Sequence, residues 1–76
     1  MNMKKTRNYS NHTSEFVASL GKRIREARKS RRLSEREVSE RIGISRTTLQ
    51  KIEKGDLKCE IGMVVETAMM FGVVIE

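Results

Sequence analysis

Four polar side chains within six residues have the types and the spacing to hydrogen-bond the edges of nucleic-acid bases: Arg46, Thr47, Gln50 and Lys51. An α-helix turns by about 100° per residue, so all four would lie on one face. Arg and Lys can donate to guanine, Gln can pair with adenine through two hydrogen bonds, and the Thr methyl group can contact that of thymine. An ordinary solvated helix face is the alternative interpretation.

The surrounding residues predict a helix that presents this face outward. Leu49 and Ile52, together with Thr48, share the opposite side and are expected to face a core. Ser45 is expected to cap the start of this helix, and Gly55 is expected to end it.

A second short helix is predicted just before it, at residues 35–42. Ser34 and Glu37 form the S-x-x-E pattern of a capping box, and Gly43 supplies the left-handed residue that a sharp reversal requires. Ser39 is small at the point where the two helices should cross. Two short helices joined in this way form a helix-turn-helix, whose second helix enters the DNA major groove.

Another helix is predicted upstream, at residues 14–30, with Thr13 or Ser14 as its N-cap. Its inward stripe is formed by the apolar residues Phe16, Leu20, Ile24 and Ala27. Residues 1–12 lack apolar periodicity and are predicted to be a disordered basic arm. The helix-turn-helix domain is assigned to residues 13–72.

The final helix is predicted from Glu60 to Gly72, with more apolar surface than three short helices can cover. Residues 73–76 follow as a strand or a frayed tail, since the β-branched Val-Val-Ile favours a strand that needs a partner. A dimer interface is predicted at Phe71, Val73, Val74 and Ile75. The predicted fold class is all-α: a compact bundle of four to five helices, with a possible strand at the dimer interface.

Length and charge narrow the range of partners. The chain has 76 residues and a formal charge of +6, enough for one small domain. Residues 1–32 carry a net charge of +8, whereas the remaining 44 residues sum to −2. A basic first third suits a polyanion such as DNA, although ribosomal, RNA-binding and membrane-surface proteins share such a composition.

Phosphate contacts are predicted at residues next to the helix that carries the four polar side chains, and along the arm. The backbone N–H groups of Ser34 and Glu35, at a helix N-terminus, favour anions. Further candidates are polar or basic residues: Ser45, Lys54, Lys58, Lys4, Lys5 and Arg7. Such contacts position a protein on DNA without reading sequence. Glu53 is expected to pair with an arginine of the first helix, such as Arg28, and so to hold the two helices together.

Other functional classes find little support in the sequence. A single cysteine, Cys59, and a single histidine, His12, exclude a disulfide within the monomer and an ordinary zinc site. Cys59 is interpreted as a small core residue, and no cofactor is expected. No nucleophile–base pair or phosphate-binding glycine loop is present, so an enzyme is not expected. No membrane span or secretion signal is evident, and we predict a cytoplasmic protein.

The motifs together resemble the Xre/Cro family of helix-turn-helix transcription regulators. The resemblance rests on L-G-K-R-I-R-E-A-R at 20–28, L-S-E-R-E-V-S-E-R-I-G-I-S at 33–45 and L-Q-K-I-E-K-G at 49–55. It implies a recognition helix at residues 45–54 and binding to a pseudo-palindromic operator in double-stranded DNA as a homodimer. Glu35 departs from the family, in which Gln often touches phosphate at this position.

The stretch G-D-L-K-C-E-I-G at 55–62 resembles the HipB-like antitoxins, although Leu57 stands where that subgroup often has Pro. This second resemblance implies an autoregulated toxin–antitoxin operon and a HipA-like toxin kinase as a partner. The alternative is a phage-type or stand-alone repressor of the same family with no toxin partner.

Overall fold

The computed structural model describes residues 8–73, which form four α-helices and no strand. The helices are α1 (Asn11–Ser30), α2 (Glu35–Ile42), α3 (Arg46–Glu53) and α4 (Ile61–Met70). The predicted all-α class is confirmed for this range. Lys4, Lys5 and Arg7 of the arm, and Val74 and Ile75 of the proposed strand, lie outside the described residues.

Helix α1 begins earlier than predicted. Ser10 is its N-cap, and the Ser10 hydroxyl accepts a hydrogen bond from the Thr13 N–H at 3.1 Å. The prediction that Thr13 or Ser14 caps this helix is therefore wrong, and Asn11 and His12 belong to α1 rather than to the arm. Apolar periodicity missed this first turn because its residues are polar and solvent-exposed.

Phe16 corrects the predicted inward stripe of α1. Leu20 and Ile24 are buried, whereas Phe16 is 41% exposed. Helix α1 has 20 residues and spans about 30 Å, but α3, against which it packs, has eight residues and spans about 12 Å. The first turns of α1 therefore extend past the helix that covers its later turns.

The predicted start of α2 and the turn between α2 and α3 are both confirmed. In the capping box that begins α2, the Glu37 N–H donates to the Ser34 hydroxyl at 3.0 Å and the Ser34 N–H donates to the Glu37 carboxylate at 2.9 Å. Gly43 ends α2 with a φ of 84°, and its N–H donates to the Ser39 carbonyl. Ser39 is buried, as its small size at the crossing predicts.

The core draws on all four helices. Its buried apolar residues are Leu20, Ile24, Val38, Leu49, Ile52, Val64, Ala68 and Phe71. Phe71 is only 5% exposed, because its side chain packs in the core of the monomer. It is therefore not available for the predicted dimer interface. Val73 is half-buried against the same core.

Helix α4 carries the excess apolar surface that its sequence predicts. Ile61 is 75% exposed and Met69 is 70% exposed, while Val64 and Ala68 face the core. None of the helices found in residues 8–73 is both long and apolar enough to cross a membrane.

A buried ion pair joins α1 to α3. The Arg28 Nε and Nη2 groups donate to the two carboxylate oxygens of Glu53 at 2.7 and 3.1 Å, and both side chains are less than a tenth exposed. The remaining Arg28 Nη1 donates to the Leu33 carbonyl at 3.0 Å. The predicted Arg28–Glu53 pair is thus confirmed, and it also fixes the link between α1 and α2.

The backbones of α1 and α3 approach closely at Gly21. A methyl group at this position would overlap the Ile52 carbonyl oxygen and lie 2.7 Å from the Glu53 carbonyl oxygen. Gly55, which follows α3 and has a φ of 77°, packs its backbone against Ala18 of α1. Small residues on α1 therefore allow the carboxyl end of α3 to lie directly on it.

A second arginine closes the end of α4. The Arg31 guanidinium lies 5.1 Å from the centre of the Phe71 ring. It donates to the carbonyl oxygens of Met70 and Phe71 at 3.3 and 3.2 Å, which are groups that a helix end leaves without partners.

We expect Gly21→Ala to lower the free energy of unfolding by about 2 kcal/mol, because the added methyl meets rigid backbone and this cost exceeds the gain in helix propensity. Gly62→Ala on α4 is the matched control, since its methyl would meet nothing within 4 Å. That variant should gain about 0.5 kcal/mol. Urea denaturation at one chain concentration measures both, and a Gly21→Ala chain as stable as the wild type would contradict the close approach.

Arg28→Met should cost about 3 kcal/mol of unfolding free energy, because it leaves the buried Glu53 carboxylate without a counter-charge. The double variant Arg28→Met/Glu53→Leu should recover most of this loss, since an apolar pair of similar volume needs no partner. A double-mutant cycle by urea denaturation checks the coupling. Strictly additive losses would show that the two groups do not stabilise each other.

Candidate nucleic-acid interface

Helix α3 presents its polar face away from the core. Its side chains Leu49 and Ile52 are 0% and 3% exposed and anchor the inner face. On the outer side, Arg46, Thr47 and Lys51 are exposed, and Gln50 is half-buried. All four predicted base-reading side chains therefore lie outside the core, where a ligand can reach them.

Two of these side chains share one carboxylate oxygen. Glu35 Oε1, from the first residue of α2, accepts hydrogen bonds from Gln50 Nε2 at 3.0 Å and from Arg46 Nη2 at 3.4 Å. The hydrogen bond from Gln50 is the main cause that lowers the pKa of Glu35 below its ordinary value, and it outweighs the opposing effect of burial. Glu35 is consequently a carboxylate at neutral pH.

The sequence drew attention to Glu35 for its backbone N–H and for its departure from the family's Gln, but the contact of its side chain with α3 was missed. Helical spacing relates residues within one helix, whereas Glu35 and Gln50 meet across the turn at a separation of 15 residues. The opposite charges of Glu35 and Arg46 were the signal that could have predicted this contact. Each residue lies at the start of its helix, and the two helices are joined by a short turn.

The amino end of α2 offers less room for a phosphate than predicted. The Ser34 N–H is already bonded to Glu37, which corrects the expectation that it is free to bind an anion. This bond, followed by that of the Ser34 hydroxyl, lowers the pKa of Glu37. The N–H groups of Glu35 and Arg36 are left as the unused donors of the first turn, and they lie beside two carboxylates.

The remaining predicted phosphate ligands differ in availability. The Ser45 hydroxyl is used by the α3 cap, where it accepts from the Thr48 N–H and donates to the Thr48 hydroxyl. Lys54, at the carboxyl end of α3, and Lys58, in the following loop, are both exposed. The two lysines therefore keep free ammonium groups at the carboxyl-terminal side of α3.

A shallow cleft beside α3 adds one cation that sequence reasoning missed. It is lined by charged and polar side chains from three helices: Arg25, Glu35, Gln50, Glu53 and Lys54. Arg25 follows the buried Ile24 on α1 and is exposed. Arg25 directly follows a residue that the sequence predicts to be in the core of α1. This was the signal that could have placed Arg25 near α3.

Metal and thiol chemistry have no visible site in this part of the chain. Across residues 8–73, no three His, Cys, Asp or Glu side chains come together in a way that could hold a metal ion. Cys59 is half-buried against the core, as its interpretation as a small core residue predicts, and burial raises the pKa of its thiol. A raised pKa disfavours the reactive thiolate.

Comparison with known proteins agrees with this geometry. A family model described as a helix-turn-helix domain matches residues 21–76. Neither a search of curated proteins nor a search of solved structures finds a match. The family match supports an Xre-type DNA-binding transcription regulator, a class that is generally non-enzymatic. The chain belongs to the helix-turn-helix domain family.

Proposed function

We propose that this protein is a sequence-specific DNA-binding repressor that binds a pseudo-palindromic operator as a homodimer. The observation that carries the proposal is the outer face of α3, where Arg46, Thr47, Gln50 and Lys51 are accessible while the inner face is fixed in the core. In a helix-turn-helix, this is the face that meets base edges in the major groove.

The distribution of charge supports a DNA partner. Arg25, Lys54 and Lys58 are exposed around α3 and could contact the two strands on either side of the groove. Contacts of this kind neutralise phosphates and release bound counter-ions, so affinity should fall as salt rises.

The open apolar surface of α4 supports association with a second copy. Ile61 and Met69 are largely exposed on a helix whose other face belongs to the core. To bind two half-sites one turn of DNA apart, such a dimer must hold its two α3 helices about 34 Å from each other. The molecular mass in solution tests this part of the proposal, and a chain that stays monomeric on its operator would contradict it.

Gln50→Ala and Lys58→Ala should separate base reading from phosphate binding. A duplex selected by the wild-type protein from a random-sequence pool serves as the operator, and an unselected duplex serves as random DNA. Gln50→Ala should weaken operator binding about tenfold, with a much smaller effect on random DNA, because a lost base contact costs about 1–3 kcal/mol at the matching base. Lys58→Ala should weaken both complexes to a similar extent.

Fluorescence anisotropy over a range of salt concentrations provides the measurement. The slope of log affinity against log salt should fall by about one for Lys58→Ala and stay unchanged for Gln50→Ala. If Gln50→Ala weakens both duplexes equally, Gln50 does not read sequence. If the wild-type protein enriches no duplex at all, the proposed function is wrong.

An antitoxin role is a finer proposal within the same function. It is supported by the resemblance of residues 55–62 to HipB-like antitoxins and by the exposed apolar side chains that begin at Ile61. A kinase-like reading frame beside the gene, and copurification of its product with this chain, would support a toxin partner. Phage structural or integrase genes in that position would favour a phage-type repressor instead.

A further inference from the structure

Glu35 occupies an unusual position for a carboxylate on a surface proposed to meet DNA. Its side chain is 27% exposed, while that of Arg46 is 62% exposed. One oxygen of Glu35 holds the Gln50 amide at 3.0 Å and the Arg46 guanidinium at 3.4 Å. Two of the four proposed base-reading groups thus have an acceptor within the protein before any DNA is bound.

The groups around Glu35 keep this carboxylate charged. Arg46 and Gln50 face it from α3, and Arg28 of α1 adds a favourable charge at longer range. Arg25 and Lys54 line the same cleft, and the Glu53 carboxylate in that cleft is already paired with Arg28. The side chain of Glu35 therefore has Arg46 and Gln50 of α3 as its hydrogen-bonding partners.

This arrangement affects the two kinds of DNA complex differently. On DNA of arbitrary sequence, most affinity comes from phosphates, and Arg46 would have to leave Glu35 to reach one. The Glu35 carboxylate would then lose its hydrogen-bonded cation while lying near the phosphate backbone. On a matching sequence, base acceptors can replace or share the contacts of Arg46 and Gln50. A partner that penalises the wrong complex more than the right one raises specificity.

We propose that Glu35 is a specificity-determining positioning residue, whose carboxylate holds Arg46 and Gln50 over the α3 face and penalises their transfer to phosphates on unmatched DNA. The inference rests on the proposed function, because it assumes that α3 reads bases. It assigns to the Glu35 side chain a role that is opposite in sign to that of a phosphate ligand.

The test compares Glu35→Gln with Glu40→Gln. Both changes remove one negative charge from α2, but Glu40 is exposed and pairs with Arg36 of its own helix. The probes are the duplex selected by the wild-type protein and poly(dI-dC). Glu35→Gln should lower the ratio of the two affinities about fivefold, mainly by tighter binding to poly(dI-dC), as expected for the loss of one close charge interaction in water. Glu40→Gln should leave the ratio unchanged.

A second measurement uses the free protein and needs no DNA. In an NMR titration, the side-chain amide signals of Gln50 should shift as Glu35 takes up its proton, and Gln50→Ala should raise the pKa of Glu35, because that hydrogen bond stabilises the charged form. Thermal melting followed by circular dichroism confirms that each variant is folded before it is compared.

The outcomes separate the inference from the function. If the wild-type protein selects a duplex but Glu35→Gln changes both affinities by the same factor, Glu35 contributes only general repulsion and the inference is wrong while the function stands. If the chemical shifts of the Gln50 side-chain amide do not change as Glu35 titrates, the inference is also wrong. Failure of the wild-type protein to select any duplex would instead overturn the proposed function.

Discussion

The position of α3 depends on one guanidinium group. Arg28 binds both oxygens of Glu53 and also the Leu33 carbonyl, so a single side chain joins α1, the carboxyl end of α3 and the end of the link to α2. Because the pair is buried, loss of either member leaves an uncompensated charge in the core. Any rotation of α3 about its axis would break this geometry, and the outward direction of its polar face follows from it.

The close approach of α1 and α3 acts on the same carboxyl end of α3. Gly21 places no side chain, and Ala18 only a methyl group, between α1 and the carboxyl end of α3. Gly55 can turn the chain away at once because of its positive φ. At the other end, Ser45 caps the first turn and Gly43 sets the reversal from α2. Close backbone approach, tight turns and the Ser45 cap therefore help to fix both ends of α3, while none of them restrains its outer side chains.

Local signals accounted for most of the fold. The capping box at Ser34 and the turn at Gly43 were predictable because residue type alone strongly favours each arrangement. The Arg28–Glu53 pair could be expected because an acidic residue on α3 has a helix full of arginines as its neighbour. Phe16 and Phe71 were misplaced, since periodicity shows which residues share a helix face but not how far a neighbouring helix extends to cover it. The Glu35–Gln50 contact was missed for a related reason: it depends on how two helices are set against each other.

The Arg31 clamp links two parts of the chain that are distant in sequence. The same short segment that connects α1 to α2 also satisfies the last carbonyl groups of α4 and stacks on Phe71. Opening of either the interhelical link or the last turn of α4 breaks these contacts with the other. Hydrogen exchange in these two regions should therefore occur through a common opening event, which makes them one cooperative unit within the domain.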